Sequence, residues 1–367
     1  MKVYTTLEVR SEHLINEMLL VDLGHTTIVS DHPDYMGGSG KGPSPGELVK
    51  GALAASAALE IGAAAERERL PIRSFRVGCG STQESERFEG GPLPSKTFLS
   101  GFVLRVAVVG SLTTQQIDCI EHIARNCPVA RTLAGNIDIT EGQSFDSARA
   151  TRAAAGNTYL IKEMQKLNLP TGERRLTGPR QATRVSAEYL YEGRALVRWA
   201  RSAHLVERRQ EGQKVSGSQP ETLILAALAA CTSVYTARAA ALVDAVAEIR
   251  VRCSGTFSAS QDTDDSVRHI ASIEKMLEVK GDLSEKQRDT LAYFAANCAL
   301  GETLRRRSSV DLKVELTTDK TAKDGVLTPP LNGAVHRELE NYLDAAICDD
   351  GSCCVPNFEG KKEVKVR

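Results

Sequence analysis

The chain has 367 residues, of which 41% are hydrophobic and 25% are charged, and its formal net charge at pH 7 is −1. These values are typical of a globular protein with about two domains of ordinary size. The near-neutral charge and an aromatic content of 5% argue against binding to nucleic acid or to an anionic membrane surface. The first residues contain no apolar signal core, and no stretch reaches about 18 consecutive apolar residues. We therefore expect a cytoplasmic protein that interacts with neither a membrane nor nucleic acid.

The first half of the chain predicts several strands and one long apolar helix. That helix begins at Pro45, with Ser44 as its cap, and ends before Pro71. It is rich in alanine and leucine and almost uncharged over its first half, so we expect that part to be fully buried. The other elements predicted here are strands at 3–10, 25–31, 73–82, 100–110 and 136–140, a glycine-rich loop at 34–40, and an amphipathic helix at 113–127.

The second half predicts the same order of elements. Strands are expected on either side of a turn at 192–193, and an alanine-rich, buried helix is expected from Pro220 to about Asp244. The remaining predictions are strands at 247–260, 266–281 and 310–316 and one continuous helix at 284–307, with Ser284 as its cap.

The two halves repeat one motif, with a change at a single chemically important position. The motif reads SPGELVKGALAAS in the first half and SQPETLILAALAAC in the second, ending at Ser56 and at Cys231. Each copy is followed after a similar interval by a second cysteine, which is Cys127 in the first half and Cys298 in the second. The sequence therefore predicts a duplicated domain in which only the second copy has a complete cysteine pair.

The order of elements in each copy predicts an α+β fold. We predict domains at 1–142 and 181–322, a linker at 143–180, and a C-terminal helix with a cysteine-rich tail at 323–367. A helix this apolar must be covered on all sides, which one small sheet cannot do. We therefore predict that the two central helices pack together as an intramolecular pseudo-dimer. Two independent domains joined by the linker are the alternative.

The nine cysteines predict free thiols, because an odd number without a secretory signal does not suit a disulfide scaffold. A buried cysteine is by default a small apolar side chain, and we interpret Cys79, Cys119 and Cys253 in this way. The repeated pair indicates chemistry instead. In a two-cysteine peroxidase, one thiolate attacks the peroxide and becomes a sulfenic acid, which the second thiol converts to a disulfide. The attacking thiol also needs a nearby arginine or lysine to lower its pKa.

The stretch P-E-x-L-x-x-A-A-L-A-A-C, the later N-C pair and the preceding glycine loop resemble the osmotically inducible protein C and organic hydroperoxide resistance (OsmC/Ohr) family. The resemblance covers most of residues 1–142 and about 181–317, so the chain is similar to a tandem of two such domains. It implies reduction of organic hydroperoxides by a thiol reductant, either a dithiol or a lipoylated protein. It further implies a site at the interface of an intertwined dimer. We expect no cofactor-binding residues in either copy.

Carried onto this sequence, the resemblance assigns roles to four residues of the second half. Cys231 matches the attacking cysteine and Cys298 the resolving one. Glu221 matches a glutamate after the helix proline, and Arg194 is the best match for an arginine of the N-terminal strands. Glu221 and Cys231, however, lie ten residues apart on one helix, about 15 Å along its axis. The alternative for Glu221 is that it stabilises the helix N-terminus.

The first half lacks a complete version of this site. Ser56 replaces the attacking cysteine, Gly46 stands at the glutamate position with Glu47 one place later, and Cys127 has no partner thiol. We therefore expect one working site, for which the first copy could still supply an accessory charge. Glu47 or Arg10 would be its source.

A cluster of three thiols lies near the C-terminus, outside both copies. Cys348, Cys353 and Cys354 predict either a redox arm that exchanges disulfides with the main site or a site for a thiophilic metal. Incidental cysteines in a tail are the third interpretation. Two functional hypotheses follow: a thiol peroxidase centred on the helix cysteine, which could form a homodimer, or a redox, metal-binding or sulfur-handling protein centred on the tail.

Overall fold

The computed structural model describes residues 6–150, 156, 158, 162, 174–177, 185–191, 193–199, 202–208, 217–258 and 269–318, with the exception of Gly90. The tail cysteines lie outside these described residues, so all three interpretations of the tail remain predictions.

The described strands fall into two groups, one from each half of the sequence. The strands of the first half are β1 (Thr6–Ile15), β2 (Met18–Asp22), β3 (Thr27–Ser30), β4 (Ile72–Arg87), β5 (Ser95–Gly110) and β6 (Asp138–Asp146). A short strand, β7 (Arg174–Thr177), follows within the predicted linker. Those of the second half are β8 (Val185–Tyr191), β9 (Arg194–Arg198), β10 (Ala203–Glu207), β11 (Glu248–Ser258), β12 (His269–Lys280) and β13 (Ser309–Thr318).

The described helices repeat in the same way. Those of the first half are α1 (Pro45–Arg67), α2 (Thr114–Arg125) and α3 (Pro128–Ala134), with a 3-10 turn at Asp34–Met36. Those of the second half are α4 (Pro220–Leu242), α5 (Glu285–Ala296) and α6 (Ala299–Arg305).

The two long helices, α1 and α4, form the centre of the molecule. In α1 a capping box between Ser44 and Glu47, together with Pro45 in the first turn, fixes the start of the helix. Every residue of α4 from 222 to 240 is buried. The two helices pack against each other, α1 also contacts β4, β8 and β9, and α4 also contacts β1, β2 and β11. The helical layer therefore lies between two sheets, which confirms the predicted α+β pseudo-dimer.

Each sheet is built from strands of both halves. The first sheet has the order β3-β2-β1-β11-β12-β6, and the second has β10-β9-β8-β4-β5-β13, with β7 also paired to β4. In the first sheet β1 runs antiparallel to β11, so that Thr6 lies opposite Thr256, and β6 runs parallel to β12. In the second, β8 runs antiparallel to β4 and β13 runs parallel to β5. The two copies have thus exchanged their N-terminal hairpins and their final strands.

The helix predicted as continuous at 284–307 is two helices, and this prediction was wrong. Asn297 ends α5, and Cys298 has an extended backbone, with φ −68° and ψ 150°. The first half has the same break at Cys127, where Pro128 begins α3. Each of these two cysteines is therefore the residue that precedes a short helix, where its side chain can face the central layer.

Both central helices are long and apolar enough to cross a membrane by length and composition. In this fold their apolar windows are 83% and 100% buried within the protein. The apolar composition of the two helices is explained by their burial between the two sheets.

Gly62 of α1 gives a first testable prediction. A Cβ atom at this position would lie 2.3 Å from the ring of Tyr189. That ring is fixed by stacking on Phe75 and by a 2.8 Å hydrogen bond that its hydroxyl donates to Glu66. We expect Gly62→Ala to lower the free energy of unfolding by about 1–3 kcal/mol, although alanine is intrinsically favoured in helices. Urea unfolding of the native protein and of the variant measures the difference in the free energy of unfolding. The matched control is Gly46→Ala, where no atom lies within 4 Å of the added carbon; an equal loss in both variants would contradict the argument.

Candidate functional site

The structure brings the two predicted cysteines of the second half together. Cys231 lies in the middle of α4, and Cys298 lies at the break between α5 and α6. The two side chains are hydrogen-bonded to each other in the buried helical layer. Cys231 retains 5% exposure, whereas Cys298 has none. Of the two sulfur-bearing residues, only Cys231 therefore presents surface to an incoming molecule.

Cys298 is surrounded by groups that favour its thiolate. Thr232 Oγ1 lies 3.3 Å from its Sγ, and the N–H of Gly301 donates to the same sulfur at 3.4 Å. The hydrogen bond from Cys231 lowers the pKa of Cys298 to about 6, against the opposing effect of burial, and the positive charge of Lys275 also lowers it. These contacts favour the thiolate form of Cys298.

Cys231, the partner of Cys298, has a raised pKa instead. Burial, followed by the hydrogen bond to Cys298, raises the pKa of Cys231 well above its usual value. The N–H of Leu300 and the charge of Arg238 oppose this rise. The hydrogen bond between the two side chains therefore favours the thiolate form at Cys298 and the thiol form at Cys231.

A buried ion pair adjoins the dithiol and joins the two halves. Arg238 lies two helical turns after Cys231 on α4, and its Nε donates to Glu17 Oε1 at 3.0 Å. A second bond runs from the same guanidinium to the other carboxylate oxygen, so the pairing is bidentate. Glu17 comes from the turn between β1 and β2, in the first half, and His32 Nδ1 lies 3.1 Å from its carboxylate. Burial alone would raise the pKa of Glu17, but Arg238 and His32 outweigh it and lower the pKa, so the carboxyl is ionised.

Two further side chains complete the surroundings. The ring of Tyr235, one helical turn after Cys231, lies 5.3 Å from the guanidinium carbon of Arg238. Lys275 of β12 is buried, donates to the carbonyl of Ala295 at 2.8 Å and lies 3.0 Å from Glu141 Oε1. The site thus combines a dithiol, two buried cations and a largely apolar wall, which suits thiol chemistry on an apolar molecule.

The other residues predicted for this site do not lie in it. Arg194 belongs to β9, in the sheet that covers α1, and its Nε lies 3.6 Å from Glu207. The negative charge of Glu221 helps to raise the pKa of Cys127 in the first half. This agrees with the separation of about 15 Å along the helix between Glu221 and Cys231.

The two accessory charges considered for the first half are also placed elsewhere. Glu47 accepts hydrogen bonds from the backbone and hydroxyl of Ser44, as part of the α1 capping box. The side chain of Arg10 is 67% exposed and pairs with Glu8. The charges beside Cys231 are instead Arg238 and Glu17, neither of which the sequence pattern had singled out.

The equivalent position in the first half contains a hydrogen-bonded serine–cysteine pair. Ser56 Oγ accepts the N–H of Val129 at 3.3 Å and is hydrogen-bonded to Cys127. Burial raises the pKa of Cys127 to about 11. Burial thus favours the thiol form of the cysteine retained in the first half, whereas the contacts of its counterpart Cys298 favour the thiolate.

The first half lacks the counterparts of Arg238 and Lys275 as well as the helix thiol. Both α1 and α4 have 23 residues, so their positions correspond one to one. Across the neighbouring strands, Lys275 lies opposite Cys253, and Leu104 lies opposite Cys79 at the matching place. In this correspondence Ser56 stands at the position of Cys231, and Glu60 stands at that of Tyr235. Ala63 stands at the position of Arg238, and Leu104 stands at that of Lys275.

Within the part of the chain that the structure describes, no group of three or more His, Cys, Asp or Glu side chains could hold a metal ion. The predicted metal site concerns the tail cysteines, which lie outside the described residues.

The fold and the site define a duplicated, strand-exchanged α+β protein with a buried dithiol in its second half. The family described as OsmC-like protein matches residues 38–142 and 212–313, which together make up more than half of the chain. The chain therefore belongs to the OsmC-like family, and both copies are members, as the repeated motif predicted. None of the curated proteins matches the chain.

Solved structures of this family resemble single copies. An OsmC-like protein from Mycoplasma pneumoniae is 17% identical, with 38% of this chain covering 99% of that one and a TM-score of 0.29. The organic hydroperoxide resistance protein OsmC from Legionella pneumophila is 20% identical, with 38% covering 95% and a TM-score of 0.27. An OsmC-like protein of unknown function from Vibrio cholerae is 18% identical, with 36% covering 94% and a TM-score of 0.26. Family membership rests on the two matched segments and not on these scores.

The loss of four side chains predicts that restoring the thiol alone will not restore reactivity. In Ser56→Cys, the introduced thiol would face Cys127 without the equivalents of Arg238 and Lys275. We expect its reaction with a hydroperoxide to be slower than that of Cys231 by about 10²-fold or more, because its thiolate would lack a compensating charge. Site-resolved alkylation after a single addition of peroxide measures both rates in one protein. Equal rates at the introduced thiol and at Cys231 would show that the surrounding charges are unimportant.

Proposed function

We propose that this protein is a thiol-dependent peroxidase that reduces organic hydroperoxides at the Cys231–Cys298 pair. The observation that supports this most directly is the hydrogen-bonded dithiol, which lies in an apolar layer beside the cations Arg238 and Lys275. Two thiols in direct contact can pass from sulfenic acid to disulfide without a large movement of the backbone.

In the proposed cycle, Cys231 attacks the outer oxygen of the hydroperoxide, because it is the member of the pair with exposed surface. The O–O bond breaks, an alcohol leaves, and Cys231 becomes a sulfenic acid. Cys298 then attacks that sulfur, water leaves, and a disulfide remains. An external thiol reductant, which we propose to be a dithiol or a lipoylated protein, returns the pair to its reduced form.

The walls of the site favour an organic peroxide over hydrogen peroxide. The helix around Cys231 is buried from Thr222 to Ala240, and more than half of its residues in that range are alanine or leucine. Burial of an alkyl group against such a surface contributes roughly 0.8 kcal/mol for each methylene group. We therefore propose alkyl or lipid hydroperoxides as the substrate class, with one reactive site in each chain.

The test is peptide mapping by mass spectrometry after the reduced protein has received one equivalent of cumene hydroperoxide. We expect a Cys231–Cys298 disulfide in the native sequence and complete loss of peroxide consumption in Cys231→Ser. Cys127→Ser is the matched control, since it removes the corresponding buried cysteine of the first half, and we expect it to react as the native protein does. If both site cysteines remain alkylatable while the tail cysteines become oxidised, the proposal is wrong and the tail is the reactive centre.

A further inference from the structure

We propose that Glu141, a residue of the first half, positions Cys298 for the step that closes the disulfide. Glu141 acts through two cations, Lys275 and Arg305, which hold the chain break at which Cys298 lies. The role rests on the proposed function and belongs to the second step of the same cycle.

The break before Cys298 is held by two side chains from outside α5. The helix α5 ends at Ala296, and the last carbonyl groups of a helix have no partner within the helix. Lys275 Nζ donates to the carbonyl of Ala295 at 2.8 Å, and Arg305 Nη1 donates to the carbonyl of Ala296 at 2.9 Å. Cys298 follows directly after this helix end and precedes α6, so the two bonds fix the backbone from which its side chain projects.

Glu141 joins these two cations to the first half of the chain. It belongs to β6 and lies directly opposite Lys275 of β12. Its Oε1 lies 3.0 Å from Lys275 Nζ and also accepts a hydrogen bond from Arg305 Nη2. The side chain of Lys275 is 2% exposed, so the carboxylate compensates a buried positive charge. Without it, the lysine would be drawn from the Ala295 carbonyl towards water, and the break would lose one of its supports.

The strand pair that contains Lys275 and Glu141 has a counterpart in the second sheet. There β13 runs parallel to β5, and Leu312 lies opposite Leu104. Leu104 stands at the position of Lys275, because each lies opposite a cysteine of the neighbouring strand. Leu312 therefore stands at the position of Glu141. An apolar pair is thus sufficient to join these strands, and the charged pair occurs where the sheet lies beside the dithiol.

The arginine differs between the halves in the same way. The helices α3 and α6 both have seven residues, and each directly follows the cysteine of its half. Their last residues are Ala134 and Arg305, so the first half has an alanine at the place of the arginine. All three charged groups therefore stand beside the complete cysteine pair and are replaced by apolar residues beside Cys127. A need to fix the break explains this difference, because only Cys298 has a second sulfur with which to form a bond.

The step that depends on this arrangement follows the attack on the peroxide. The sulfur of Cys298 forms a bond to the sulfur of the Cys231 sulfenic acid, and the S–O bond breaks. The departing hydroxide takes the thiol hydrogen of Cys298 and leaves as water, so the step needs no further reagent. The attacking sulfur must be aligned with the bond that breaks, and a misplacement of about 1 Å can slow a reaction by about 10²-fold. The position of the backbone at Cys298 therefore governs the rate of this step.

The test measures how Cys231 sulfenic acid divides between two products in a single turnover with cumene hydroperoxide in the presence of dimedone. One product is the dimedone adduct and the other is the Cys231–Cys298 disulfide, and mass spectrometry gives their ratio. In Glu141→Gln we expect the ratio of adduct to disulfide to rise by about 10-fold or more. The ratio compares two reactions of the same folded molecules, so a loss of stability alone does not change it.

The matched control is Glu86→Gln. Glu86 is 27% exposed, against 28% for Glu141, and it accepts a 3.0 Å hydrogen bond from Arg306, the neighbour of Arg305. We expect the native ratio in this control. An unchanged ratio in Glu141→Gln, or an equal rise in both variants, would overturn the inference and leave the proposed peroxidase intact. Absence of Cys231 oxidation in the native protein would overturn both.

A double variant makes the test independent of an unpaired buried charge. Glu141→Leu combined with Lys275→Leu installs the pair of leucines that the first half has at the matching place, so we expect it to fold. It also removes the donor to the Ala295 carbonyl, so the ratio of adduct to disulfide should stay raised. A native ratio in this folded variant would show that the charged groups do not position Cys298.

Discussion

Replacing Arg238 with methionine is expected to lower the free energy of unfolding by about 3–5 kcal/mol. The reason is that Glu17 would keep its buried position, with 1% of its side chain exposed, but would lose its bidentate partner. The same substitution removes the cation nearest to Cys231 on α4, so we also expect slower oxidation of that thiol. Urea unfolding followed by circular dichroism measures the first effect, and single-turnover labelling measures the second.

The double variant Glu17→Met, Arg238→Met separates the two effects. Replacement of both members of a buried ion pair by apolar groups is often close to neutral for stability, so we expect most of the lost stability to return. The reaction rate should stay low, because the charge near the thiol is still absent. Recovery of the rate together with the stability would show that Arg238 acts on the fold alone.

The contribution of this pair should also depend on pH. Glu17 has a lowered pKa in the folded protein, so its ionic contribution is fully present above the ordinary carboxyl pKa of about 4.3. It is lost as the pH falls through the lower, folded value. The difference in stability between the native protein and Arg238→Met should therefore narrow in acid.

A protein consisting only of residues 181–322 is expected not to fold as a monomer. Without the first half, β11 would lose β1, β12 would lose β6, and the apolar surface of α4 that packs on α1 would be uncovered. Open strand edges and an apolar face of this kind lead to self-association or to an unfolded chain. Size-exclusion chromatography with light scattering, together with circular dichroism, measures the outcome.

Mixing or co-expressing this segment with residues 1–180 provides the control. We expect the two pieces to form a one-to-one complex in which the exchanged strands restore both sheets. A folded, monomeric second half would contradict this, and it would show that the predicted domain at 181–322 is an independent unit.

Much of the fold follows from local pattern, because the helices and most strands are specified by short-range features. Pro45 and Pro220 mark the starts of the two central helices, and the absence of charge after them indicates complete burial. The exchange of strands could not be predicted in this way. Alternation identifies a strand and its buried face, but it does not specify the partner, and β1 would show the same pattern beside β4 as beside β11.

The candidate site was predictable only in part. The repeated motif identified Cys231 and Cys298, whereas Arg238 was overlooked although it is the only charged residue between 222 and 240. A lone charge in a buried helix must find a partner, and that requirement was the available signal. Lys275 gave a similar signal, since it falls at an inward position of β12, between Ile273 and Leu277. Glu17 gave no such signal in the sequence. It contacts Arg238 only because the β1–β2 hairpin of the first half packs against α4 of the second half.

The exchange of hairpins also has a consequence for the order in which the chain can fold as it is made. Thr6 of β1 pairs with Thr256 of β11, 250 positions later. At synthesis rates of about 5–20 residues per second, the partner strand appears roughly 12–50 s after the first strand. During that interval the edge of β1 facing β11 is open to other chains. The strand that is synthesised first is thus among the last to reach its final place in a sheet.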